Sequence, residues 1–563
     1  MDNVLAENTK LDGLLYAKLI CGGASNLRRH VQEINDLNVF PIPDGDTGDN
    51  MLLTMMGGVE AAKTASKNLY STARKAADGM LLSARGNSGV ILSQFFDGIA
   101  SGLEGLEEAD VFQVGNALRE GVKHAYESVL EPTEGTILTV AKDATEYACS
   151  MLSEGSFDIN KNFISEAKRS LKRTPQLLPV LEKAHVVDSG GAGLVAITEG
   201  MENILLGKED SEIADAKDNS KQPVKIALDA FTEDSVLEFG YCTELLIRLQ
   251  NAKTDIGAFD TKIITDYMHG IGNSIVCYKT GSIVKLHVHT MTPDKVLAFC
   301  QQFGEFLNIK IENMSLQHNS LENEEKEEDD FYHPEQVVEK EHKDFAVVAV
   351  ANGNGIIQAF KDLGADEVIN GGQSMNPSAE DFIEAFDRAN ADTIFVLPNN
   401  SNIILAARQA AQMYRNSDVR VIESKSIGCG YAAMSMFDAE TCTDASEIAE
   451  QMTDAMQGVV NASVSICVRD TDMDGIELHS GDYVGFAGKK ILSCGKNAEL
   501  AACALVDSLD FEDHEICILI GGADASAEGI SQVRSHIEAE HPGCEIYEID
   551  GGQDIYNYVI VLE

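Results

Sequence analysis

The sequence predicts a multidomain protein: an all-α first domain, an α/β middle domain and an α/β last domain. Three observations predict it. Residues 1–206 carry stretches such as KLDGLLYAKLICGGASNLRRHVQEINDLN and STARKAADGMLLSARGNSGVILSQFFDGIASGLE, where small and apolar residues recur at helical spacing with little alternation. Two polar segments break the chain, GKEDSEIADAKDNSKQPVK at 207–225 and the acidic LENEEKEEDDFYHPEQVVEKEHKD at 321–344. Between them, from 225 to 318, helix-like and strand-like stretches alternate. Beyond the second, FAVVAVA, DTIFVLP, VRVIES, VSICVR and EICILIGG alternate with helix-like EDFIEAFDRAN and SNIILAARQAAQMY, the order of a Rossmann-like sheet domain. The domains are therefore placed at 1–206, 225–318 and 344–563.

Composition narrows the function. Of the 563 residues 44% are hydrophobic, ample for packed cores, and 91 acidic against 43 basic residues leave a net charge of −48. Such a field opposes attraction to nucleic acid or anionic lipid, and an anionic small substrate must arrive with a cation. The twelve cysteines are scattered without a CxxC pair, and the start MDNVLAENTKLDG has neither a basic n-region nor an apolar h-region. A cytoplasmic location is expected. No apolar run approaches the roughly 18 residues of a membrane span, so no integral membrane segment is expected.

The stretch NVFPIPDGDTGDNM at 38–51 concentrates chemistry. Asp44 and Asp46 are separated by one glycine, so their carboxylates can converge on one hard cation. Pro41 and Pro43 restrict the approach, and NMLLTMM begins a helix whose N-terminal amides would face an anion. A plain acidic helix-capping turn is the simpler alternative. An EF-hand calcium loop fails, because Gly48 and Met55 fall where ligands belong. A Walker loop fails too, since in GFAGKKI at 485–491 Lys490 stands where Ser or Thr is needed. SARGNSGVILSQF at 83–95, EGTILTVAKDA at 134–144 and HVVDSGGAGLVA at 185–196 set Gly, Ser or Thr beside helix-like runs. Each of these alone is compatible with close helix packing.

Together, PDGDTGDNM, SARGNSGVILSQF, GTILTVAKDA and VDSGGAGL resemble the nucleotide-binding domain of the dihydroxyacetone kinase family, over nearly all of residues 1–206. The resemblance implies a bundle or barrel of eight antiparallel helices that holds ATP at one end through Mg2+ bound by acidic residues. It implies Asp44 and Asp46 as magnesium ligands and catalytic residues, with Asn38 as a further oxygen ligand. Thr47, Asn50, Gly86, Asn87, Ser88, Gly89, Thr136, Asp188 and Gly190 fall on stretches that line the nucleotide in that family. Asp49 stands where relatives commonly carry Thr, which leaves it a place beside the ligands. Arg85 is a candidate phosphate contact or a surface arginine.

In SIVKLHVHT at 282–290, Val284, Leu286 and Val288 alternate with Lys285, His287 and His289, so the two imidazoles point the same way about 6–7 Å apart along a strand. His-x-His is a two-ligand unit for zinc, and GYCTE at 240–244 offers Cys242, with Glu244 and His269 as possible neighbours. Solvent-facing histidines and a buried cysteine are the alternative. Glycine-tyrosine-cysteine followed by K-x-H-x-H-T, behind a kinase domain of this type, resembles the catalytic subunits of bacterial fatty acid kinases from end to end. That resemblance implies Zn2+ at Cys242, His287 and His289, pairing of two chains into a homodimer through the middle domain, and a two-lobed last domain like the DegV-type fatty-acid-binding proteins. The implied reaction is ATP-dependent phosphorylation of a fatty acid, carried by a separate DegV-type protein, to an acyl phosphate for phospholipid synthesis. A dihydroxyacetone or other small-polyol kinase and a non-catalytic nucleotide- and zinc-binding regulator are the alternatives.

Overall fold

The computed structural model describes residues 10–563 apart from 39–44, 155, 157, 209–240, 251–252, 255, 257–258, 260, 269, 281–282, 314–341, 373–375, 440–441, 468–469, 474, 489 and 513. Among these, the first block has nine helices: α1 (Gly13–Asn35), α2 (Thr47–Ala62), α3 (Leu69–Ser83), α4 (Gly86–Gly102), α5 (Val111–Glu127), α6 (Ile137–Ser153), α7 (Ile159–Leu177), the short α8 (Pro179–Ala184) and α9 (Ser189–Leu205). A two-residue antiparallel pair, β1 (Leu11–Asp12) with β2 (Glu108–Ala109), ties α1 to the α4–α5 connection.

Local chemistry sets the helix ends. Asp12 accepts from the amide of Leu15 at 2.9 Å to open α1, and Asp110 with Gln113 forms a reciprocal capping box on α5. Pro179 forces Leu178 into extended backbone, which separates α7 from α8. The helices touch almost backbone to backbone. A Cβ added to Gly57 would lie 2.4 Å from the carbonyl oxygen of Gly79, and one on Gly200 2.3 Å from that of Gly22. Many of the small residues at helical spacing therefore serve packing. Ile20, Leu27, Met51, Met55, Leu69 and Met80 fill the core, and a cavity of about 120 Å³ remains between Tyr16, Phe95, Phe96 and Phe163.

The middle block carries a four-stranded antiparallel sheet. Its strands are β3 (Tyr241–Leu249), β4 (Gly272–Thr280), β5 (Ile283–Thr290) and β6 (Gly304–Asn313), in the order β4-β5-β3-β6, with helices α10 (Lys262–Met268) and α11 (Pro293–Cys300). Val284, Leu286 and Val288 are buried against Leu245, Ile247, Ile264 and Met268, as their alternation predicts.

In the last block, β7 (Lys343–Ala351), α12 (Asn354–Asp362), β8 (Glu367–Asn370), α13 (Ala379–Ala389), β9 (Ala391–Leu397), α14 (Ile404–Met413) and β10 (Asp418–Val421) build a parallel sheet in the order β10-β9-β7-β8. The strand order reverses between β7 and β9, which opens a crevice beyond their carboxyl ends. After α15 (Ile427–Ser435) and α16 (Ala445–Ala455) come β11 (Val460–Ile466), the hairpin β12 (Thr471–Met473) with β13 (Ile476–Leu478), β14 (Tyr483–Ala487), β15 (Lys490–Gly495), α17 (Ala498–Val506), β16 (Ile516–Gly521), α18 (Ala527–Glu540), β17 (Glu545–Asp550) and β18 (Tyr558–Leu562). They form a six-stranded sheet, β15-β14-β11-β18-β16-β17, antiparallel except between β16 and β17. Val347, Phe395 and Leu397 of the first sheet share a core with Ile518, Ile520 and Val561 of the second. GFAGKKI lies on the β14–β15 hairpin, not between a strand and a helix, so its lysines have no phosphate-cradling helix behind them.

The first and last blocks are not independent of each other. Met1–Ala214 and Lys340–Glu563 make one compact unit, and Asp215–Glu339 makes the second. Ala84 and Val90 of the helical block lie in one apolar cluster with Ala379, Phe382, Phe386, Ala406 and Ala410 from α13 and α14. Small apolar residues at helical spacing look alike whether they face their own bundle or another block. No described helix is long and apolar enough to cross a membrane.

Candidate functional site

At one end of the helical block, the starts of α2, α4, α6 and α9 are linked to one another. Ser189, first in α9, donates to Thr47 Oγ1, first in α2, at 3.3 Å. A Cβ on Gly86, which opens α4 at φ 57°, would lie 2.7 Å from Asn50 Nδ2 of α2, and one on Gly190 would lie 3.2 Å from Ile137 at the start of α6. Asp46, Arg85 and Thr136 precede α2, α4 and α6, and none of the three makes a side-chain capping bond. Gly48 N of α2 is held by Asn35 and Ile137 N of α6 by Asp188; the other first-turn amides of these three helices have no N-cap side chain, the condition for anion binding.

Asp188 caps α9, accepting from Gly191 N at 2.7 Å, and also takes a backbone hydrogen bond from Ile137. Burial pushes its carboxyl up to about 6, and the two amides pull the other way. Thr47 and Asn50 are buried, and Thr136 Oγ1 is turned to the carbonyl of Thr133 at 2.7 Å. Gly89 makes room for α2, since its Cβ would lie 2.5 Å from Thr54 Oγ1. Ser88 is part-exposed beside it.

Asp44 lies outside the described residues, and Asp46 stands directly before α2. Asn38 is near, its Cβ 3.8 Å from the Cβ position of Gly45. Asp46, Asn38, Thr47 and Asn50 all offer oxygen donors, the set that suits a hard divalent cation. Asp49 is not pointed at that set: Asn35 of α1 donates to its Oδ2 at 2.7 Å and accepts from Gly48 N at 2.7 Å. That clamp pins the loop's exit to α1. Asn35 was legible only as an Asx residue ahead of a loop.

Two of the named residues reach the last block at the seam. Arg85 Nη1 donates to the carbonyl of Asn376 at 2.9 Å and Nη2 lies 3.5 Å from Asp381. Asn87 Nδ2 likewise reaches Asn402 Oδ1 of the last block at 3.3 Å. Asn376 itself donates through Nδ2 to Asp46 Oδ2 at 2.5 Å. No sequence signal pointed to it.

In the middle block, β3 and β5 pair Cys242 with His289 and Glu244 with His287, positions that share one sheet face by strand alternation. The side chains of these four residues, and His269 as a whole, lie outside the described residues. Among the described residues, no three His, Cys, Asp or Glu groups gather closely enough to hold a metal.

Comparison with known proteins defines the class. The DAK2 domain matches residues 41–203, the FakA-like middle domain of fatty acid kinases matches 238–321, and the FakA-like C-terminal domain matches 346–563. Protein YloV of Bacillus subtilis is 39% identical over 562 residues, covering 98% of this chain and 99% of the relative. An uncharacterized protein of Staphylococcus epidermidis is 38% identical over 99% of this chain and 100% of its own. The chain belongs to the FakA-like fatty acid kinase family. Among solved structures, the dihydroxyacetone kinase from C. freundii in complex with AMP-PNP and Mg2+ is 18% identical over 35% of each chain, with a TM-score of 0.28. A DegV family protein from Thermus thermophilus, described for its fatty acid binding, is 13% identical over 39% of this chain and 99% of its own, with a TM-score of 0.29.

Proposed function

We propose that the chain is an ATP-dependent kinase that phosphorylates the carboxylate of a fatty acid presented by a DegV-type binding protein. The observation that carries the phosphate part is the junction of three helix starts without side-chain caps beside Asp46. The first-turn amides of α2, α4 and α6 other than those of Gly48 and Ile137 would bind and orient the nucleotide's phosphates, with Gly86, Asn87 and Ser88 at the entry of α4 and Gly190 keeping α9 close to α6. Asp44, Asp46 and Asn38 would hold Mg2+, which when bound offsets the charge that moves to the leaving ADP. A fatty acid carboxyl has a pKa on the order of 4–5 and is ionised at neutral pH, so this chain needs no general base for it. Its task is to align the acceptor and exclude water.

Family membership supports the acyl acceptor. The crevice at the carboxyl ends of β7 and β9 holds a cavity of about 70 Å³ lined by Asn352, Asn399, Gln553 and Asp554. Val350, Ile356, Ile427, Ile555 and Val559 line it as well, and its volume, well below that of a small-molecule site, favours a last block that docks the carrier over one that binds lipid. The middle sheet would bind Zn2+ through Cys242, His287 and His289 and pair two copies of the chain. Ile309 and Ile311, two residues apart on β6, are exposed, an apolar stripe that a second copy would cover.

Hydroxylamine trapping of acyl phosphate from ATP, Mg2+ and a fatty acid loaded on a DegV-type protein tests the proposal, with free fatty acid as control. Carrier-dependent hydroxamate is expected. Tight Mg-ATP binding without hydroxamate points instead to a small-polyol kinase or a nucleotide sensor.

A further inference from the structure

The seam between the first and last blocks runs through the entrance of the candidate kinase site. Arg85, the residue before α4, forms an isolated antiparallel bridge with Ser378, which caps α13. Its guanidinium holds the Asn376 carbonyl at 2.9 Å and sits 3.5 Å from Asp381, the residue that completes the α13 capping box. These contacts fix the backbone of Asn376, whose side chain is 3% exposed. From there the Nδ2 amide reaches Asp46 Oδ2 at 2.5 Å, and Oδ1 is buried with no hydrogen-bond partner among the described residues. A Cβ on Gly86 would lie 3.5 Å from the same Nδ2, so the amide also lines the start of α4.

A neutral donor on one carboxylate oxygen has a specific effect. Lysine or arginine there would neutralise Asp46 and compete with a cation, whereas an amide leaves the charge in place. An ionised carboxylate has about four lone-pair sites, so a single N–H donor does not by itself use up its capacity to ligate a metal. Holding the carboxylate also removes the rotamer freedom that a cation would otherwise have to freeze on binding. Asn376 is buried, so water competes little for its amide.

We propose that Asn376, a residue of the last block, is a positioning residue for the kinase site: it orients Asp46 toward the metal, so the site of the helical block is complete only when the last block is docked. This rests on the kinase reading of Asp46. Partners of metal-binding carboxylates typically set metal affinity or activity by about 10–100-fold.

The test measures Mn2+ binding to the full-length chain with AMP-PNP, by calorimetry and by the Mn2+ electron spin resonance signal. Asn376→Ala is expected to weaken Mn2+ about 10-fold, to raise the Mg2+ needed for half-maximal turnover, and to leave the KM for ATP at saturating Mg2+ within about twofold. In an Asp46→Asn background, Asn376→Ala should add nothing, since it acts through that carboxylate. Gln409→Ala is the control for loss of packing. Gln409 crosses the same seam, bonding Gln94 at 3.0 Å and the Leu81 carbonyl, without touching Asp46, and its variant should keep Mn2+ affinity. If Asp46→Asn leaves Mn2+ binding intact, the metal reading itself fails. If Asp46→Asn abolishes binding while Asn376→Ala does not weaken it, or Gln409→Ala weakens it equally, the positioning role of Asn376 is overturned and the kinase reading stands.

Discussion

Asn376 and Asp46, 330 residues apart in the chain, are joined by a side-chain hydrogen bond of 2.5 Å. The carboxylate is therefore oriented before any nucleotide arrives, and what it contributes is charge. Asp46→Asn keeps shape and size while removing that charge. The variant keeps an oxygen to accept from Asn376, so melting should shift little, but turnover should fall by at least about 10²-fold. Circular dichroism and the hydroxamate assay read the two effects separately, and normal turnover would remove Asp46 from the metal site.

Arg85 bonds the last block, so its loss should be felt there first. The Asn376 carbonyl loses a charge-assisted donor worth about 1.5–3 kcal/mol, and the half-exposed pairing with Asp381 adds little. Arg85→Ala should speed amide hydrogen exchange along α13 and α4 while ATP affinity changes by less than about threefold. A large loss of ATP affinity with unchanged exchange would restore Arg85 as a phosphate contact.

Much of this arrangement was legible in the sequence, and the missing part has a physical reason. Strands such as β7, β9 and β16 announced themselves as short apolar runs, and β5 by the alternation of Val284, Leu286 and Val288 against its histidines. Thr47, Asn50, Gly86 and Asp188 stood on separate motifs, and the fold gathers those motifs at one end of the helical block. The docking of the last block on that end was not legible. Its contacts are made by Ala84, Val90, Ala406, Gln409 and Asn376, ordinary residues whose role comes only from their place in three dimensions. Arg85 stayed open between two readings for the same reason: an arginine beside a glycine-rich turn suits a phosphate or a carbonyl equally well.

Gly86 stands where the backbone conformation itself disfavours a side chain. Its φ is 57°, where an L residue costs about 1–2 kcal/mol, and a Cβ would press on Asn50 at 2.7 Å. Gly86→Ala should lower the melting temperature and weaken ATP, because α4 must turn its first amides to relieve the contact. Thermal melting with and without Mg-AMP-PNP measures both. A variant with unchanged melting and unchanged nucleotide stabilisation would show that the α4 start does not face the phosphates.

The middle block makes a prediction that is independent of nucleotide. The register sets Cys242 opposite His289, next to the position of His287, so zinc bound there would cross-link β3 and β5. His287→Ala should reduce zinc, measured by plasma mass spectrometry after dialysis, from about one per chain to near zero. The apolar stripe Ile309 and Ile311 allows a separate test by light scattering, in which Ile311→Asp should shift the chain toward monomer. Unchanged zinc in His287→Ala would remove the metal site without touching the dimer proposal.

Asp188 links the site to pH. Burial raises its carboxyl from 3.8 to about 6, so the folded chain holds this proton more tightly than the unfolded chain. The stabilisation is therefore fully present below about pH 4 and is lost as pH rises through about 6; above that, the buried charge is a cost on the order of 3 kcal/mol, at about 1.4 per pK unit. Asp188→Asn keeps an oxygen to accept from the Gly191 amide and removes the charge. The variant should therefore be more stable than the parent at pH 7.5, and its advantage should shrink as pH falls from 6 toward 4. Nucleotide affinity gives the second readout. If the Asp188 carboxylate repels the incoming phosphates, Asp188→Asn tightens ATP at pH 7.5. If it serves only to hold α6 and α9 together, affinity stays level while the stability difference remains. A melting difference that does not vary between pH 4 and pH 7.5 would show that Asp188 titrates normally and that its capping bonds outweigh its burial.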